Sequence, residues 1–145
     1  MVSGTISDEF SYLSALTLRD LFSRRKLSPV EVAEQTLRRI ERLNPHLGAF
    51  ITVTADHALE LAGAAERAYA EPAAAPPLAG IPLSIKDNQP TRGIRTTRGS
   101  LIARDHVPET DGILVSRLRR SGATLLGKTN LPEDGWKGGS TNRLG

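Results

Sequence analysis

Leu78-Ala79-Gly80-Ile81-Pro82-Leu83-Ser84-Ile85-Lys86-Asp87-Asn88 is the stretch on which the fold turns. Its apolar alternation over Ile81–Ile85 predicts a short strand that stops at Lys86-Asp87-Asn88. Pro90 and Gly93 mark a loop, and Thr96-Thr97-Arg98-Gly99-Ser100 is polar and turn-prone. Thr110 or Asp111 is then expected to cap a helix from Gly112 to Ser121. Ile113, Leu114 and Leu118 would face a core there, Arg117, Arg119 and Arg120 would be solvated, and Gly122 would close the helix. Ala123-Thr124-Leu125-Leu126 reads as a buried strand. Strand, helix and strand in that order predict a parallel β-α-β unit inside an α/β fold.

Upstream the texture is helical. After a loose leader over residues 1–13, Thr17 can cap a short helix from Leu18 to about Lys26. Ser28-Pro29-Val30-Glu31 carries three start signals together: a capping serine, a proline where its missing N–H costs nothing, and a glutamate that completes a capping box. Val30, Ala33, Leu37 and Ile40 continue it as an amphipathic helix to about Leu43, which Asn44-Pro45 is expected to end. Phe50–Val53 reads as a short strand, and the Ala/Glu-rich run from Ala55 to Ala70 as a further helix. Residues 71–77 hold three prolines and read as a linker between this mainly helical unit (1–70) and the start of the α/β core (78–145).

Composition narrows the function classes. The 145 residues contain no cysteine, which removes disulfides, thiolate nucleophiles and cysteine-bound zinc. His46, His57 and His106 stand in separate segments, so no metal is expected. No run approaches the length of a membrane span, the first residues lack the pattern of a secretory signal, and a cytoplasmic setting is the expectation. The net charge of +3 is uneven: residues 1–80 carry eight basic and ten acidic side chains, residues 81–145 eleven and six. Six aromatics, with arginines interleaved among acids, give no stacking platform, so nucleic acid is not the expected partner.

Two motifs carry chemistry. Gly122-Ala123-Thr124-Leu125-Leu126-Gly127-Lys128-Thr129 fits a phosphate-binding loop letter for letter. That loop needs a strand before its first glycine and a helix opening at the Lys-Thr. Here a helix precedes Gly122, a strand fills the middle and Pro132 follows closely, so the amides would join a sheet ladder and nucleotide binding is not expected. The second is Lys86. As a residue type at a strand end it reads either as a solvated lysine, which spacing alone favours, or as an amine kept neutral by an apolar setting and able to act as a base. Ile81, Leu83 and Ile85 make such a setting available without deciding between the two.

The run Leu78–Asn88 resembles the first signature block of the amidase signature family. The similarity continues through Thr96–Ser100, Asp111–Arg119, Gly122-Ala123, Gly127-Lys128-Thr129-Asn130, Pro132-Glu133 and Gly135-Trp136-Lys137-Gly138, and upstream through Leu27–Val32, Arg39-Ile40, Asn44-Pro45 and Ala49-Phe50. The resemblance implies the N-terminal part of that family's α/β fold, a helical unit followed by the start of a mixed sheet flanked by helices. It implies amide hydrolysis by a Ser–cis-Ser–Lys triad with Lys86 as the neutral base, no cofactor and a small-molecule amide substrate. The A subunit of a tRNA-dependent amidotransferase shares these features, and a non-catalytic interaction fragment is the alternative of another class.

Both family serines fall in blocks that follow the position of Gly145, so the chain reads as carrying the lysine alone. Ser100 and Ser140 are the hydroxyls that could stand in, although capping and turn bonding is the commoner use of such serines. Asp87 is expected beside Lys86 as a partner or cap, Thr96 and Thr97 to bond backbone, Asn130 to bond a loop near the pocket, and Trp136 to sit in the core. Asp134 stands where relatives usually place an aromatic. Open sheet edges would favour self-association into a homo-oligomer.

Overall fold

The computed structural model describes residues 10–139 and 141–144. Residues 1–9 of the expected leader and the candidate Ser140 lie outside the described residues. The elements are α1 (Ala15–Ser23), α2 (Pro29–Leu47), β1 (Phe50–Val53), α3 (Ala55–Ala68), β2 (Pro82–Lys86), α4 (Ile113–Arg120) and β3 (Thr124–Thr129), with 3-10 turns at Leu101–Ala103 and Glu133–Gly135. The sheet has the order β1-β3-β2, β3 running parallel to β2 and antiparallel to β1. This is a mixed α/β arrangement, and the strand-helix-strand unit forms as the sequence predicts.

Ser28 caps α2 as expected: its hydroxyl accepts from Val30 N at 3.0 Å, while the Glu31 carboxylate accepts from Ser28 N at 3.0 Å. Other helix ends differ from expectation. Ser14, not Thr17, caps α1, because its hydroxyl reaches Thr17 N at 3.1 Å one turn earlier. The same helix stops at Ser23, since Arg25 adopts φ +52° and turns the chain away. Pro45 lies inside α2 instead of ending it. A proline removes one helical hydrogen bond, but Gly48 at φ +56° closes the turn by donating to Asn44 O at 2.8 Å. The Asn44 side chain then bonds both Phe50 N (2.7 Å) and Phe50 O (3.0 Å), fixing the entry into β1.

In α4 the cap is Gly112. The Asp111 carboxylate turns away to accept from Arg92 N at 2.7 Å and to pair with Arg119 at 3.1 Å. With Asp111 so engaged, the inward face holds Val115, fully buried, and Leu118, while Ile113 and Leu114 are 76% and 50% exposed. Arg119 is correspondingly not solvated: besides Asp111 it meets His57 Nε2 at 3.3 Å and donates to Arg92 O at 3.2 Å.

Three apolar clusters fill the interior. Leu18, Phe22, Val32, Ala65, Tyr69 and Ile81 join α1, α2 and α3, and Phe10 and Leu13 pack on them, so this end of the expected leader is not loose. Ala75 and Ala79 belong to the same cluster, and the Tyr69 hydroxyl donates to Ala79 O at 3.0 Å. Ile85, Ile94, Val115 and Leu125 fill one face of the sheet, while Ile40, Ala58 and Leu126 fill the other. Consecutive residues of β3 therefore point into different clusters, which is why its apolar run is continuous instead of alternating.

Gly127 explains the false phosphate loop. It lies in β3 at φ +153°, pressed against β1 so closely that a Cβ would collide with the Thr52 carbonyl oxygen. The glycine admits a neighbouring strand. Gly127→Ala is expected to cost about 2 kcal/mol or more from backbone displacement and overpacking, read as a lower urea midpoint.

Candidate active site

Lys86 is the last residue of β2, and its backbone is held in register by β3: Ile85 pairs with Lys128 and Lys86 with Thr129. Its side chain is exposed. A methyl built on Gly135 would stand 3.7 Å from the Lys86 Nζ and 3.8 Å from the Asn88 Nδ2, so the turn at Glu133–Gly135 lies directly beside the amine. Of the residues expected to line a low-dielectric setting for Lys86, Ile85 is buried in the sheet and Leu83 packs at its margin, but neither covers the amine.

Asp87 turns inward and is fully buried. It accepts from Thr97 N at 2.9 Å and from the Thr97 hydroxyl at 2.5 Å, both on Oδ2, and its Oδ1 stands 3.6 Å from the Lys128 Nζ. Its partner is therefore Lys128 and not the neighbouring Lys86. Lys128, also fully buried, donates to Gln89 O at 2.7 Å and to the Thr96 hydroxyl at 2.8 Å. The Thr96 hydroxyl in turn donates to Ile94 O at 3.1 Å. Burial pushes the Lys128 amine below the ordinary lysine value of 10.5, and the charge of Asp87 and its hydrogen bonding oppose that shift.

The Ser100 hydroxyl donates to Glu133 Oε1 at 2.6 Å and accepts from Ile102 N at 3.3 Å, a capping role that commits it. Asn130 donates to Gly48 O at 3.0 Å and its Oδ1 accepts from Leu131 N at 2.9 Å, so it joins the α2–β1 turn to the strand end. Trp136 is 86% exposed instead of buried, because the 3-10 turn before it carries it out of the core. It lines a polar cleft of about 400 Å³ with Glu133, Lys137 and Arg143. Asp134, at φ +51°, donates its N–H to Arg98 O at 2.8 Å and pairs its carboxylate with Arg98 Nε at 3.4 Å.

The buried Lys128 is the residue that sequence reasoning placed just past the strand Ala123–Leu126, in the rejected phosphate-loop motif, whereas β3 runs on through it to Thr129. Its signal was present: a lysine just past an apolar run, whose strand is predicted to lie parallel to one that ends in Lys-Asp. Parallel ends bring those groups to one side of the sheet, and a buried cation there requires an anion.

The sequence model of the family described as Amidase matches residues 31–144. The chain is 41% identical over 125 residues to the A subunit of the glutamyl-tRNA(Gln) amidotransferase of Carboxydothermus hydrogenoformans, a match covering 86% of the chain and 26% of that relative. Among solved structures it resembles the native peptide amidase of Stenotrophomonas maltophilia (34% identity, TM-score 0.78, 86% of this chain and 26% of that one). It also resembles a bacterial aryl acylamidase (29% identity, TM-score 0.82, 89% and 27%). The chain thus spans about a quarter of the length of the curated relatives it matches.

Removing one member of a buried ion pair strands the other charge, so Lys128→Met is expected to lower stability by about 3–5 kcal/mol, and Asp87→Asn added to it should recover much of that loss. Between the lowered folded value of Lys128 and 10.5 the unfolded chain binds more protons, so the contribution of Lys128 to stability rises with pH across that window. The gap in urea midpoint between the native chain and Lys128→Met should widen accordingly as pH is raised toward 10.5.

Proposed function

The chain belongs to the amidase signature family, and from that premise we propose that it forms the lysine-bearing part of an amide-bond hydrolase in which Lys86 is the base. The family match across residues 31–144, which contains Lys86 and the blocks from Arg39-Ile40 to Gly135–Gly138, carries this reading. In the relay that the resemblance implies, the neutral Lys86 amine accepts a proton from the cis-serine hydroxyl, which accepts the proton of the nucleophilic serine. The serine oxygen adds to the amide carbonyl, the amine leaves with a proton, and water then cleaves the acyl-enzyme ester. The substrate is a small-molecule amide, and the cytoplasm is the expected setting.

A lysine suits this task because desolvation favours its uncharged form. The exposed amine of Lys86 has the required place at a strand end but not the covering.

The identity to amidotransferase A subunits favours a second reading: the same chemistry releasing ammonia from glutamine within a larger assembly. Glutamine as substrate separates the two readings.

The 145-residue chain assayed alone on aliphatic amides, aromatic amides and glutamine is expected to show no turnover. A chimaera in which it replaces the matching segment of the peptide amidase should turn over peptide amides. Lys86→Ala in that chimaera should reduce kcat on the order of 10³-fold or more with the fold retained. Unchanged turnover in the variant would remove Lys86 from the mechanism.

A further inference from the structure

We infer that Lys128 is a positioning residue for Lys86: its buried ammonium anchors the loop over residues 87–98, and through that loop sets where the turn beside the Lys86 amine stands. This rests on the reading of Lys86 as the base.

The contacts form a continuous path. Lys128 Nζ holds Gln89 O at 2.7 Å and the Thr96 hydroxyl at 2.8 Å, two points seven residues apart on one loop, and faces Asp87 Oδ1 at 3.6 Å. Asp87 grips Thr97 through both its N–H and its hydroxyl. Its own backbone is fixed on either side, Asp87 N donating to Thr129 O at 3.1 Å and Arg98 N donating to Asp87 O at 3.2 Å. Arg98 O receives Asp134 N at 2.8 Å, and Arg98 Nε pairs with the Asp134 carboxylate at 3.4 Å. The next residue is Gly135, on which a Cβ would stand 3.7 Å from the Lys86 Nζ.

Physical necessity points the same way. A lysine and an aspartate without exposure are costly to desolvate, and an apolar pair of similar volume would give comparable or greater stability. What the ionic pair provides that an apolar pair does not is direction, because two hydrogen-bond acceptors and a carboxylate 3.6 Å away, from separate parts of one loop, converge on a single ammonium. The lowered pKa of Lys128 fits this internal role, since burial dominates its environment. Lys128 does not act as a second base: Gln89 O, the Thr96 hydroxyl and the Asp87 carboxylate occupy the surroundings of its amine, which is closed to solvent.

The test compares Lys128→Met and the double variant Asp87→Asn/Lys128→Met with the native chain. The double variant keeps the proposal falsifiable if the single one unfolds, because it leaves no buried charge unpaired. In the first arm the lysines of the 145-residue chain are reductively methylated with ¹³C-formaldehyde, and the Lys86 signal, assigned by Lys86→Arg, is followed by NMR. The double variant should stay folded, yet shift the Lys86 signal and change its methylation rate by roughly threefold or more, as the loop and turn beside it relax. In the second arm the same substitutions in the peptide amidase chimaera should lower kcat roughly 10- to 100-fold, the scale of an ångström-sized misplacement, with KM within about threefold. A folded double variant with unchanged Lys86 signal, methylation rate and kcat would overturn the inference. Full turnover of the Lys86→Ala chimaera would instead defeat the assignment of the base, and the first arm would then decide by itself whether Lys128 governs the surroundings of Lys86.

Discussion

The Lys128 ammonium and the Asp87 carboxylate face each other at 3.6 Å with neither side chain exposed, and the upper end of the sheet is organised around that pair. Neither charge could stay buried alone. Each therefore constrains the other, and their hydrogen bonds reach Gln89, Thr96 and Thr97 in the long connection between β2 and α4. A segment poor in regular structure is held by a few charged side chains in place of a hydrogen-bonded ladder.

Two arginines extend the same device. Arg95 donates to Ile51 O at 2.6 Å and to Arg104 O at 3.1 Å, tying the connection to β1 and to its own later part. Arg119 joins Asp111, His57 and Arg92 O, tying it to α4 and α3. The excess of basic side chains in residues 81–145 is thus partly spent inside the molecule, on carbonyls and carboxylates of the connection. A basic balance of this origin says little about an anionic partner.

The arrangement also separates two lysines that the sequence presents in similar terms, each at or near the end of an apolar strand. Ile85 pairs with Lys128 and Lys86 with Thr129, a stagger of one residue. One lysine is buried as a structural cation, while the other stands at the rim beside Gly135. Because side chains alternate along a strand, one position is enough to decide between core and surface.

Local signals were legible in the sequence where they compete with little else. The capping box at Ser28, the strand-helix-strand order and the rejection of the phosphate loop all follow from residue type and spacing, and the family blocks around Lys86 follow from the resemblance. Helix ends were less legible, since Ser14, Gly48 and Gly112 won their places through bonds that the chain makes after it has folded back on itself. Asp111 could have capped α4 in isolation, and turned instead to Arg92 and Arg119. The sequence by itself determined the order of the elements and the family blocks among which Lys86 stands. The tertiary structure alone decided that Asp87 belongs to Lys128, because a buried charge chooses its partner by position in space, and residues 41 apart meet only when two strands lie side by side.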